Sequence, residues 1–92
     1  MVKLNSVLLA GIKSRASLSS AFPDCIFPTN PNAESFCIAM DNGILFPVLA
    51  EDGAALSARA IPPLDNIRIV GKLACTSSGI PYVLALHVET MF

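Results

Sequence analysis

A single stretch with helical periodicity is embedded in a chain whose other patterned segments all alternate as strands, and this order narrows the fold more than any one residue does. From Glu51 to Ile61 the acids come first, where the positive end of a helix dipole favours them. Ala54, Ala55, Leu56, Ala58 and Ala60 follow as helix formers, Arg59 comes near the end, and Pro62-Pro63 stops the run. Three extended candidates precede it. Val2 to about Ser14 is rich in Val, Leu and Ile with Gly11 inside; Phe36–Met40 and Ile44–Phe46 flank Asp41-Asn42-Gly43, whose Asn and Gly tolerate the positive φ of a tight hairpin turn. Pro47 cannot donate to a ladder, so the third strand ends there, bulges or runs along an edge.

Two extended candidates follow the helix. Asn66–Cys75 alternates with Ile67, Ile69, Gly71, Leu73 and Cys75 on one face and Arg68, Val70, Lys72 and Ala74 on the other. After Ser77-Ser78-Gly79, Tyr82, Leu84, Leu86 and Val88 alternate with Val83, Ala85, His87 and Glu89 almost to Phe92. Glycines inside strands 1 and 4 permit strong curvature. Three strands, a helix and two strands thus predict an all-β fold, a small closed barrel plugged by a helix. Between Ser14 and Ser35 the Ser-, Pro- and Asn-rich sequence, with Pro23, Pro28 and Pro31, predicts a long loop that Phe22, Ile26 and Phe27 pack down in part.

At 92 residues the chain is expected to form one domain, residues 1–92. Hydrophobic residues make up 53% and charged residues 14%, with mean hydropathy +0.63, so a lone small domain would leave apolar surface in water unless a partner covers it. A homo-oligomer or a docked protein partner is expected. The longest apolar runs, Val7–Ile12 and Ile44–Ala50, are far short of the roughly 20 residues of a membrane span. Lys13 and Arg15 follow the first of them too closely for a secretory signal, so a cytoplasmic, nucleoid-associated location is expected. Cys25, Cys37 and Cys75 lack zinc-ligand spacing and read as small buried thiols, with a Cys25–Cys37 bridge open in an oxidising compartment.

The residues also carry a resemblance. Leu4-Asn5-Ser6-Val7-Leu8-Leu9-Ala10-Gly11 is similar to the opening strand of the bacterial single-stranded DNA-binding protein family and its primosomal PriB-like relatives. Ser35-Phe36-Cys37-Ile38-Ala39 resembles that family's second strand, Ile44–Glu51 its third, and Ile67-Arg68-Ile69-Val70-Gly71-Lys72-Leu73 its fourth. Taken in order over nearly the whole chain, these motifs imply a five-stranded OB-fold Greek-key barrel with one short helix between strands 3 and 4. They also imply single-stranded DNA or RNA binding by an oligomer, with no cofactor. Phe46 falls where the family places a base-stacking aromatic. The chain departs from the family in having no Trp, in a second-to-third-strand connection cut to Asp41-Asn42-Gly43, and in an uncharged Thr76–Pro81 loop.

With six Lys+Arg against seven Asp+Glu, binding to a polyanion requires a local patch. Lys13, Arg15, Arg68 and Lys72 form one if strands 1 and 4 are neighbours; otherwise they serve solubility and edge protection. Phe46 and Tyr82 are either base-stacking platforms or core and interface residues. There is no nucleophile elbow, no phosphate-cradling glycine loop and no His-Glu-x-x-His. Glu51-Asp52 is accounted for by the helix start, so no catalytic site, metal or small-molecule substrate is expected. The alternative reading is a non-catalytic OB-fold interaction subunit of a replication or ribonucleoprotein complex.

Overall fold

The computed structural model describes residues 6–27 and 33–91. The start of the expected first strand at 2–5, Pro28 and Pro31 of the loop, and Phe92 lie outside the described residues. Five strands, β1 (Ser6–Lys13), β2 (Glu34–Ala39), β3 (Leu45–Ala50), β4 (Asn66–Cys75) and β5 (Pro81–Thr90), close a barrel in the order β1-β2-β3-β5-β4. Helix α2 (Asp52–Ala60) lies between β3 and β4 as the alanine run and Pro62-Pro63 require. The expected OB-fold architecture is therefore observed. It is augmented by an unexpected four-residue helix, α1 (Leu18–Ala21), within the first loop.

The β2–β3 turn forms as Asn42-Gly43 dictates. Gly43 takes φ +83°, its amide donates to the Met40 carbonyl at 2.9 Å, and the Asn42 side-chain oxygen accepts from the Ile44 amide at 3.1 Å. Pro47 sits inside β3 opposite Cys37, where its missing N–H is tolerated because the parallel pairing of β3 with β5 begins only at Val48.

Ile38, Val48, Ile67, Ile69 and Val83 are fully buried and form the centre of the barrel, and Ala54, Ala55 and Ala58 of α2 with Ile61 just after it close one end. Ala55 and Ala58 are almost fully buried, so the alanine face of the helix is the one that packs on the barrel. The alternation expected along β5 is broken. Val70 pairs with His87 but Gly71 with Ala85, leaving Leu86 as an extra, unpaired residue. This bulge reverses the phase, so Val83, Ala85 and Val88 all face inward while Leu86 is exposed. On β4 the expected inward face holds through Gly71, whereas Leu73 and Cys75 stay exposed. No helix among the described residues is long and apolar enough to cross a membrane.

Candidate nucleic-acid interface

The six residues singled out by sequence separate into three groups. Lys13 pairs with Ile38 across β1–β2, and Ile38 with Phe46 across β2–β3, so the three share one row that faces the barrel interior. Lys13 is buried. Its Nζ donates to the carbonyl oxygens of Ala58 and Ile61, each at 2.7 Å, and lies 5.5 Å from the Phe36 ring centroid. The last carbonyls of a helix lack intrahelical donors and carry the negative end of its dipole, so the ammonium caps α2 and is unavailable to a phosphate. The expected place of Lys13 in a surface stripe is thereby corrected. Phe46 is half-buried against the core, which puts its ring on the inner side of β3.

Arg68 and Lys72 lie on the outer face of β4, and Arg15 is exposed just beyond β1. The Ser6–Ile12 length of β1 runs antiparallel beside β4, which brings Ala10 opposite Arg68 and Ser6 opposite Lys72. Arg68 is already engaged: its Nη2 and Nε donate to Glu89 Oε1 at 2.6 and 3.1 Å. Arg59 similarly holds Glu34 at 3.2 Å. With Lys13 held by backbone carbonyls, Arg15 and Lys72 are thus the Lys and Arg side chains without a hydrogen-bond or acidic partner among the described residues.

The arginine holds the Glu89 carboxyl below the usual glutamate range, chiefly through the hydrogen bond and secondarily through its charge. A depressed carboxylate stabilises the fold above its ordinary titration range, and that contribution is lost as pH falls through the depressed value. Arg68→Ala should move the Glu89 titration upward toward the ordinary range, read by carbon-detected NMR of the carboxyl. An unchanged midpoint would mean that the ion pair does not persist in solution.

Tyr82 faces outward on β5 yet is buried, and the sequence alone did not identify what covers it. The loop after β1 folds across the outer faces of β2, β3, β4 and β5. Leu18, Ala21, Phe22 and Phe27 pack on Cys37, Leu45, Leu49, Ala74, Tyr82 and Leu84. Phe27 stands edge-on to Tyr82 at 5.7 Å, and Phe22 edge-on to Phe27 at 6.0 Å. Ile26, expected to pack down with them, points into solvent at 84% exposure. The local signal for α1 is Ser17, whose hydroxyl accepts from the Ser20 amide at 3.1 Å as an N-cap. Cys25, Cys37 and Cys75 are free thiols; burial pushes the Cys37 thiol up.

No protein-family model and no curated protein matches the sequence. Among solved structures, the chain is similar to a small single-stranded DNA-binding protein from Streptomyces coelicolor. The TM-score is 0.72 at 13% identity, covering 100% of this chain and 97% of that one. It is also similar to the second single-stranded DNA-binding protein, SSBb, of Mycobacterium smegmatis, with TM-score 0.69 at 15% identity over 96% of this chain and 89% of that one. The likeness is one of fold, the OB barrel with its helix between the third and fourth strands.

Proposed function

We propose that this chain binds single-stranded nucleic acid without sequence readout or catalysis, as a homo-oligomeric OB-fold protein acting in the cytoplasm in DNA replication, recombination or repair. The observation that carries the reading is the end-to-end correspondence with a small single-stranded DNA-binding protein, which leaves almost none of either chain unmatched. Among the described residues, Lys72 and Arg15 are the cations free to meet phosphates. Arg68, two residues along the outer face of β4 from Val70, joins them when it leaves Glu89. Tyr82, on the outer side of β5 beneath the first loop, is the aromatic suited to stacking a base once that loop is displaced, an interaction of about 1–3 kcal/mol per base. Phe46, at the hairpin end of the barrel, contributes only by the minor part of its surface that the core leaves uncovered.

The oligomer is supported by the outer face of β1 and β4, where Leu8 and Val70 lie opposite one another at 64% and 39% exposure and Ile12 is exposed further along the same face of β1, beyond the Ala10–Arg68 pair. This same apolar face favours the second reading, an OB-fold subunit that docks a protein of a replication or ribonucleoprotein complex.

Fluorescence anisotropy of a labelled oligothymidine of about 30 nucleotides, long enough to span several OB folds, separates the two readings. The two free cations among the described residues, Arg15 and Lys72, contribute about −1.4 to the slope of log K on log salt, by the roughly 0.7 per phosphate neutralised on single strands. Lys72→Glu should reduce the slope by about 0.7 and weaken binding at low salt. Binding unaffected by the reversal would remove Lys72 from the interface, and no binding at low salt would leave the docking reading.

A further inference from the structure

The segment Ser17–Phe27 lies on the surface where stacking aromatic, apolar floor and free cation converge. Register places Lys72 of β4 beside Leu84 of β5, Leu84 beside Leu49 of β3, and Leu49 beside Ser35 of β2, in one row across the outer face. In the next row Ala74 pairs with Tyr82. Lys72 is exposed at the rim of this face, whereas Leu49 and Tyr82 are covered by the loop. A strand laid with its phosphates on Lys72 and its bases inward would therefore meet Phe27 where a base would meet Tyr82.

The attachment of the segment differs from that of a structural element. Among the described residues its backbone hydrogen bonds run within itself, Ala21 to Ser17, Phe22 to Leu18 and Cys25 to Phe22. Among the described residues its polar link to the barrel is the Cys37 thiol at 4.0 Å from the Ser17 carbonyl, and just before it the Ser14 amide donates to the Cys37 carbonyl at 2.9 Å. A hollow of about 260 Å³ lies between Ser17, Leu18, Cys25 and Phe27 of the segment and Ser35 of β2. An element held by side-chain packing around a few rings, rather than by a strand ladder, opens locally at low cost compared with the barrel beneath it.

We infer that Ser17–Phe27 is a strap occupying the base-stacking face of the barrel, so that Phe27 and an incoming nucleobase compete for Tyr82. This inference rests on the single-strand-binding reading. A protein whose competent form is fractionally populated binds with an apparent Kd raised by the inverse of that fraction, so loosening the strap tightens binding.

The chain has one Tyr and no Trp, which makes its intrinsic emission a reporter of Tyr82 alone. Titration of the wild-type protein with unlabelled oligothymidine should quench that emission in step with binding measured by anisotropy of a labelled oligothymidine. Phe27→Ala should lower Kd about threefold or more, and Phe27→Leu, which keeps the apolar contact without the ring and secures folding, should lower it by less. Binding with Tyr82 emission unchanged, or folded variants that bind no more tightly than wild type, would overturn the strap while leaving single-strand binding intact. Absence of binding by wild type and both variants would overturn the underlying reading and the strap with it.

Discussion

Lys13→Met should lower the unfolding free energy by about 2–4 kcal/mol, because a hydrogen bond to a charged group contributes about 1.5–3 kcal/mol and Lys13 makes two. Met has nearly the same length and packs along the same path, so the substitution removes the ammonium and little volume. One gain offsets part of the loss, since the desolvation of a buried charge disappears with the charge. The carbonyls decide the balance. Ala58 retains the Ile61 amide at 3.2 Å, but the Ile61 carbonyl, on a residue only 7% exposed, is left without the partner it had. The attraction between the cation and the C-terminal end of α2 is also lost.

For a domain of this size the change corresponds to a fall in Tm of about 10–25 °C. Urea unfolding should show a lower midpoint with an unchanged slope. A loss below about 0.5 kcal/mol would mean that Lys13 leaves the helix end in solution. Where the variant remains folded, the salt dependence of its oligothymidine binding should match wild type, in contrast to Lys72→Glu.

The role of Lys13 also marks where the sequence stops being legible. On β1, Val7 and Leu9 face the core and Leu8 and Ile12 face out, so both sides of the strand are apolar and nothing local says which side is inner. A cation in such a strand reads as solvent-facing by default. Its true partners lie 45 and 48 residues away on a helix end that only the closed barrel brings near. The β2–β3 hairpin and α2 were readable because their causes are local: Asn42-Gly43 sets one turn, and Pro62-Pro63 stops the helix.

Glu89, which neutralises Arg68, was hidden for a different reason. It meets Arg68 through a β4–β5 register that depends on the extra residue at Leu86, and period-2 counting along β5 runs straight through that bulge. For the Ser17–Phe27 segment, Phe22 and Phe27 signalled in the sequence that the loop packs down, but not the surface it meets. Four residues of helix are too short to be stable without the barrel they pack on, so Phe27 reaching Tyr82 is a tertiary fact with no local trace.

Gly71→Ala should destabilise the protein by about 3 kcal/mol or more, at the upper end of what overpacking a core costs. Gly71 is buried at the point where β4 meets the β5 bulge. A Cβ there would collide with the Leu84 carbonyl oxygen and come within 2.9 Å of both Ala85 Cα and Val83 Cγ1. Two of these three atoms are backbone in a paired strand, so relief requires the β4–β5 ladder to shift, and that ladder carries Lys72, Ala74, Tyr82 and Leu84, which together make the proposed stacking face. The same substitution at Gly53 supplies the contrast. A Cβ at Gly53 meets nothing within 4 Å, and Ala is favoured over Gly in a helix by about 0.5–1 kcal/mol, so Gly53→Ala should leave stability unchanged or raise it slightly. Thermal unfolding of the two variants beside wild type reads both effects. If Gly71→Ala melts within a few degrees of wild type, the close approach of β4 to β5 does not exist in solution. The bulge would then lose its physical reason, because only a residue without a side chain allows the two backbones to meet there.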